Sequence, residues 1–156
     1  SADCVLSTGG VSVGDEDHVR SQVERLGSLA LWRLAIKPGK PLAFGEVGGV
    51  PFLGLPGNPT SSFVTFFLRF QGVDDVEPLW LRARAGFTRD KADRREEYLR
   101  VTLSSGESGM RVVPFANQSS GVLSSVCYSN ALARIPAATT VAEGDWLDVA
   151  LLDSLN

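Results

Sequence analysis

The chain has 156 residues, enough to bury a core as one domain or as two small ones. Its apolar fraction of 44% and charged fraction of 21% are those of an ordinary globular protein. A formal net charge of -3 gives no global basis for binding nucleic acid or a membrane surface, and no apolar run is long enough to span a bilayer.

The run that comes nearest, residues 63–70, is broken by Thr65 and Arg69. The opening SADCVLSTGG lacks the basic region, apolar core and cleavage site of a signal peptide. It passes almost at once into an apolar run with no initiator methionine, which predicts that an upstream part is missing. Cys4 and Cys127 stand far apart with no second ligand cluster, so neither a disulfide framework nor a zinc site is expected. Reduced thiols in a cytoplasmic protein are the expectation.

Taken in order, residues 4–7 read as a buried strand running into the turn Thr8-Gly9-Gly10. Asp15-Glu16-Asp17 then opens a helix in which Val19, Val23 and Leu26 keep helical spacing, and Gly27 ends it. Carboxylates in a first turn favour the helix dipole. They also stand beside the C-terminal end of the preceding strand, where α/β folds bind ligands and where a carboxylate can hold Mg2+. Neither reading excludes the other. The loop GGVSVGD has neither the Gly-Lys-Ser/Thr of a P-loop nor dinucleotide spacing, and Ser12 lies outside a nucleophile elbow. His18, the single histidine, has no evident serine or cysteine to activate, so triad chemistry is not expected.

Residues 29–36 predict the next strand, with Trp32 and Leu34 on one side and Arg33 on the other. The stretch IKPGKPLAFGEVGGVPFLGLPGNP spans 36–59 and organises what surrounds it. It predicts a Lys37-Pro38-Gly39-Lys40 turn, a strand over 41–47, a tight Gly48-Gly49 turn, a strand over 50–55, and the turn Pro56-Gly57-Asn58-Pro59. Proline and glycine hold the ammonium groups of Lys37 and Lys40 close together, an arrangement expected where something negative sits between them. Asn58 reads as a helix N-cap and Pro59 as the first helical residue, ahead of Thr60, Ser61 and Ser62. A helix start offers N–H donors and the positive end of the dipole to an anion. The residues alone leave two readings open: an oxyanion site, or a purely structural connection. The helix itself carries phenylalanine nearly all round, which predicts burial or a packing interface.

Residues 71–78 make a polar hinge, and beyond them the pattern is all-β. Leu99, Val101 and Leu103 alternate with Tyr98, Arg100 and Thr102, and residues 111–115, 131–135 and 146–152 predict further strands. A small barrel or sandwich is expected from about Leu79 onward. In the arginine-rich stretch 82–100, Asp90, Asp93, Glu96 and Glu97 are interspersed, so most of it reads as a solvated face. Arg100 stands apart, on the face opposite Leu99 and Val101. The polar run over 117–121, followed by Ser124-Ser125, reads either as plain turns or as a binding loop.

In this order, TGGVSVGDED, WRLAIKPGKPLAFG, GLPGNPTSS, RREEYLRV and QSSGVLSS resemble the molybdopterin molybdenumtransferase family, MoeA and the gephyrin E domain, over essentially the whole chain. The resemblance implies an α/β fold followed by an all-β one. Residues 1–75 would be the C-terminal half of a molybdopterin-binding, MogA-like three-layer domain. Residues 76–156 would be a C-terminal β-barrel domain, with the family's N-terminal domains absent.

The activity it implies is the last step of molybdenum cofactor biosynthesis: Mg2+-dependent insertion of molybdate into adenylylated molybdopterin, with release of AMP. Matched by position, Asp17, Lys37 and Lys40 are the catalytic candidates, and Asp17 and Asp15 the Mg2+ ligands. Gly9, Gly10, Ser12, Arg33, Pro56, Gly57, Asn58, Pro59, Arg100 and Ser120 are the substrate-binding candidates. Arg33 stands where the resemblance leads one to expect lysine, and an arginine binds as a planar fork instead of a point charge. Electrostatic positioning of phosphate and molybdate is expected in place of a covalent intermediate. The resemblance also implies a homodimer of the full-length protein, with the site completed by the partner, so that this chain alone falls short of full activity. Two other readings stay open: a scaffold module of gephyrin type, and the related molybdopterin adenylyltransferase, against which the appended β domain argues.

Overall fold

Two sheets organise the computed structural model, which describes residues 2–10, 18–33, 35–39, 41–69, 79–106 and 109–152. In the first half β1 (Val5–Thr8), α1 (His18–Leu26), β2 (Gly27–Arg33), β3 (Ile36–Lys37), β4 (Pro41–Val47), β5 (Val50–Leu55) and α2 (Pro59–Arg69) follow one another. Strands β1, β5, β4 and β2 lie side by side in that order, with β1 parallel to β5 and the others antiparallel. The hairpin expected at Gly48-Gly49 forms, with Val47 opposite Val50 and positive φ at both glycines. Helix α1 buries Val23 on Ala43 and Phe52, because Val19 and Val23 share one helical face. On the other face Leu42, Leu53 and Leu55 are buried together, whereas Leu6 and Phe44 are exposed. The sheet, expected to be largely covered, is covered only in part by the described residues.

The second half runs through β6 (Trp80–Ala85), β7 (Glu96–Gly106), β8 (Gly109–Pro114), α3 (Ser124–Cys127), β9 (Ala131–Ile135) and β10 (Trp146–Leu151). Its strands lie in the order β7-β8-β6-β10-β9, and β9 pairs back onto β7. This closes a barrel, so the sandwich alternative falls away and no strand of the ring is left with an open edge. Inside sit Ala83, Ala85, Leu99, Val101, Val112 and Val149, apolar residues that fill the lumen. Full burial of each valine or leucine contributes about 1.5–3 kcal/mol. Strand β6 was not legible in the arginine-rich stretch, because its inward residues Ala83 and Ala85 are weak strand formers between outward arginines.

Two features tie the halves together. Strand β3 leaves the first half and pairs in parallel with the start of β7, placing Ile36 opposite Glu96 and Lys37 opposite Glu97. Helix α2 buries Val64, Phe67 and Leu68 against Tyr98, Leu132 and Ala150 on the outside of the barrel. The phenylalanine-rich helix is thus a packing interface. The hinge over 71–78, and with it the boundary expected at 75/76, lies outside the described residues. Among the described residues no helix is long and apolar enough to cross a membrane.

Candidate functional site

The lysine turn rests on α2. Its Lys37–Pro38 peptide is cis, and Gly39 is buried with φ of 128°. A Cβ on Gly39 would come within 3.0 Å of Thr65 Oγ1, so both the backbone angle and the space require glycine. The second turn leans on the first loop of the chain: a Cβ on Gly57 would meet Gly9 Cα at 3.4 Å, and the Gly9 N–H donates to the Leu55 carbonyl at 2.9 Å.

From this turn α2 starts at Pro59, as expected, but its first donors are largely committed. The Thr60 N–H donates to the Ser120 carbonyl at 3.2 Å, and its hydroxyl donates to the Val122 carbonyl at 3.2 Å. The Ser62 N–H donates to the Asn58 carbonyl at 2.9 Å, and the Ser62 hydroxyl to the Pro56 carbonyl. Asn58 therefore occupies the N-cap position without a side-chain cap: its Oδ1 is buried with no hydrogen-bond partner among the described residues.

These turns and the barrel loop enclose a hollow of about 590 Å3, whose wall includes Lys37, Pro56, Gly57, Asn58, Arg95 and Ser120. A second hollow of about 470 Å3 shares Lys37, Pro38 and Gln118 with it and adds Arg89, Glu97, Arg100 and Phe115. Residues from four separate stretches of sequence thus meet in one cleft, with Lys37 shared by both hollows.

Lys37 already has negative company. Its Nζ donates to Glu97 Oε1 at 2.7 Å and to Asp93 Oδ2 at 3.1 Å. The second oxygen of Glu97 pairs with Arg89, and Asp93 Oδ1 accepts from the Arg95 backbone N–H at 3.0 Å and from its Nε at 3.4 Å. The Arg95 N–H, and then the Lys37 ammonium, hold the Asp93 carboxyl well below the usual carboxylate range. Asp93 and Glu97, read from sequence as part of a solvated face, are instead the partners of the lysine. The signal was available for Glu97: it falls in phase with Leu99 and Val101, and so on the inward side of β7.

Arg100 is 1% exposed. Its Nε donates to Ser125 Oγ at 3.0 Å and its Nη2 to the Ser119 carbonyl at 3.3 Å. Gln118 braces the same residue, accepting from the Arg100 N–H at 3.0 Å and donating to its carbonyl at 2.8 Å. No carboxylate among the described residues pairs with the Arg100 guanidinium. Burial pushes its pKa down, yet a guanidinium keeps its charge near neutral pH. A buried cation held only by neutral groups is electrostatically incomplete.

Of the residues expected to form the site, Lys37, Pro56, Gly57, Asn58 and Ser120 line the larger hollow and Arg100 lines the adjoining one. Pro59 begins α2 beside them, Gly9 touches Gly57, and Gly10 is exposed outside both linings. Arg33 ends β2 opposite Pro41. Ser12, Asp15, Asp17, Lys40 and the Arg33 side chain lie outside the description. Sequence reasoning did not place Asp93, Arg95 and Glu97 there, and left Gln118 and Ser119 in a run read either as plain turns or as a binding loop. Among the described residues no group of three or more His, Cys, Asp or Glu side chains is placed to hold a metal. Nor do the carboxylates of the cleft fit Mg2+, because their oxygens already accept from lysine and arginine. Cys4 and Cys127 are both free and exposed.

Two family comparisons divide the chain between them. Residues 1–71 match the family described as a probable molybdopterin binding domain, and residues 82–152 match the MoeA C-terminal region, domain IV. The chain is 52% identical over 66 residues to the molybdopterin molybdenumtransferase of Haemophilus influenzae, covering 42% of this chain and 16% of that protein. It is 34% identical over 154 residues to the molybdopterin molybdenumtransferase of a Nostoc species, covering 90% of this chain and 35% of that protein. The solved structure of a molybdopterin biosynthesis MoeA protein from Pyrococcus horikoshii superposes with a TM-score of 0.71 at 29% identity, over 96% of this chain and 37% of that one. The chain therefore spans well under half the length of these relatives.

Proposed function

We propose, from the premise that this chain belongs to the MoeA family of molybdopterin molybdenumtransferases, that its cleft holds the anionic groups of adenylylated molybdopterin and molybdate during molybdenum cofactor biosynthesis. The observation that carries the reading is Arg100, a buried guanidinium whose partners among the described residues are all neutral, in the wall of a hollow that also contains Lys37. An oxyanion supplies the charge that the protein does not. In the reaction proposed, water cleaves the phosphoanhydride bond of adenylylated molybdopterin to give AMP and the molybdopterin phosphate, and the two dithiolene sulfurs replace one oxo group of molybdate, which leaves as water with the two thiol protons. Arg100 and Lys37 hold the phosphate and molybdate oxygens in a fixed relation, so that charge developing on them meets donors already in place. Asn58 lines the same wall, and its buried Oδ1 is an acceptor with no partner among the described residues. The backbone N–H of Ser61, which also lines the hollow, comes from the positive end of α2.

The reading divides the chain into an α/β unit over 1–75 and a barrel unit over 76–156. Mg2+, which the family resemblance brings with it, is assigned to Asp17 and Asp15. We assign the enzyme to the cytoplasm, where the two free thiols stay reduced, and to a homodimer of the longer protein that completes the site. Isothermal titration with adenylylated molybdopterin, with and without Mg2+, tests this on the wild type, Lys37→Ala and Asp17→Ala. Saturable binding that weakens in both variants is expected. Binding indifferent to Lys37 contradicts the assignment.

A further inference from the structure

Asp93 and Glu97 are left over from this reading: Glu97 is a carboxylate in a cleft assigned to anions, and Asp93 a second one on its lysine. Strand pairing fixes Glu97 directly opposite Lys37, and Arg89 pins its second oxygen. Asp93 is likewise pinned by the backbone and side chain of Arg95. The two acids are therefore held in place, with the Glu97 side chain 4% exposed, while Lys37 at 43% has room to move. Two of the three hydrogens of its ammonium go to these carboxylates, which leaves one for another acceptor.

We propose that Glu97, seconded by Asp93, is a specificity-determining residue that acts as a built-in competitor for Lys37. A bare oxyanion must share the ammonium with a carboxylate already in contact with it, and so binds weakly. A ligand that makes further contacts in the cleft, to Arg100 and to Asn58, offsets that competition and keeps its affinity. Discrimination against simple phosphate is built from a repulsive element beside the attractive ones. This rests on the proposed function in giving Lys37, Arg100 and Asn58 to the ligand.

The test is titration with inorganic phosphate and with molybdate of the wild type, Glu97→Gln, Lys37→Ala and the double variant. Loss of a unit negative charge beside the site is expected to tighten binding of both anions about threefold or more in Glu97→Gln. In the Lys37→Ala background the gain is expected to shrink. A purely structural Glu97 would instead weaken binding together with the melting temperature. Unchanged or weaker binding by a folded Glu97→Gln overturns the proposal, as does an equal gain without Lys37. If Lys37→Ala weakens binding while Glu97→Gln changes nothing, this proposal alone fails. If Lys37→Ala binds like the wild type, the role of Lys37 in the proposed function fails, and the competitor with it. Should Glu97→Gln not fold, Asp93→Asn is read in the same way, with a smaller gain expected.

Discussion

The outer wall of β6, β10 and β9 and the wall of β7 beneath α2 both carry arginines, but they supply them with different partners. On the first, Asp148 accepts from Arg82 at 3.3 Å and from Arg134 at 2.6 Å. Arg84 lies 4.0 Å over the Trp146 ring and donates to the Gly144 carbonyl at 2.8 Å, and Arg134 lies 4.6 Å over Trp80. On the second wall Arg100 is buried beside a hollow, with a hydroxyl and a carbonyl as its partners. Exposed arginines in water need little and contribute little. A buried one without an acid needs a charge from elsewhere, and here a cleft is open beside it. The difference separates arginines paired on a surface from one buried beside a cleft with no acid partner among the described residues, and on that difference the proposed function rests.

The covered wall should be the more sensitive to truncation. Phe67→Ala removes the side chain that α2 buries on the barrel and is expected to cost about 3–5 kcal/mol in urea unfolding. A loss near zero would mean that α2 does not hold the halves together. Arg100→Met is expected to lower affinity for adenylylated molybdopterin about 10- to 100-fold in titration, the range for a charge-assisted hydrogen bond. Its unfolding free energy should stay within about 1 kcal/mol of the wild type or rise, because an unpaired buried charge is replaced by an apolar chain of similar size.

Asp93 sharpens the comparison through pH. Its folded pKa is depressed, so the stability it contributes is present above its ordinary unfolded value of about 3.9 and is lost as pH falls through the folded value. Melting temperatures of wild type and Asp93→Asn should therefore differ by a constant amount above about pH 5 and converge below about pH 4. The smallest effect is expected on the exposed wall: Arg82→Ala should change stability by about 0–1 kcal/mol and leave anion titrations unchanged.

Much of this arrangement was legible in the sequence where local chemistry decides it. The Gly48-Gly49 hairpin, the Pro59 helix start and the outward side of Arg100 follow from turn residues and from alternation. The closing pair β9–β7, and the crossing of β3 into the barrel sheet, join residues 30 to 60 positions apart, and no local pattern encodes them. That crossing is what brings Lys37 to Glu97. The idea that two lysines wait for an external anion was therefore incomplete, since the chain supplies carboxylates of its own from β7 and the loop before it. In the same way, the capping role given to Asn58 did not foresee that Ser120, on the barrel loop, accepts from the Thr60 N–H instead.

The most direct test is diffraction from crystals of the chain grown with molybdate, recorded so that the anomalous signal locates molybdenum. A site in the cleft, with its oxygens in hydrogen-bond contact with Arg100 or Lys37, is the result expected. Molybdenum found only on the wall of Arg82, Arg84 and Trp146, or nowhere, would contradict the assignment of the cleft to oxyanions.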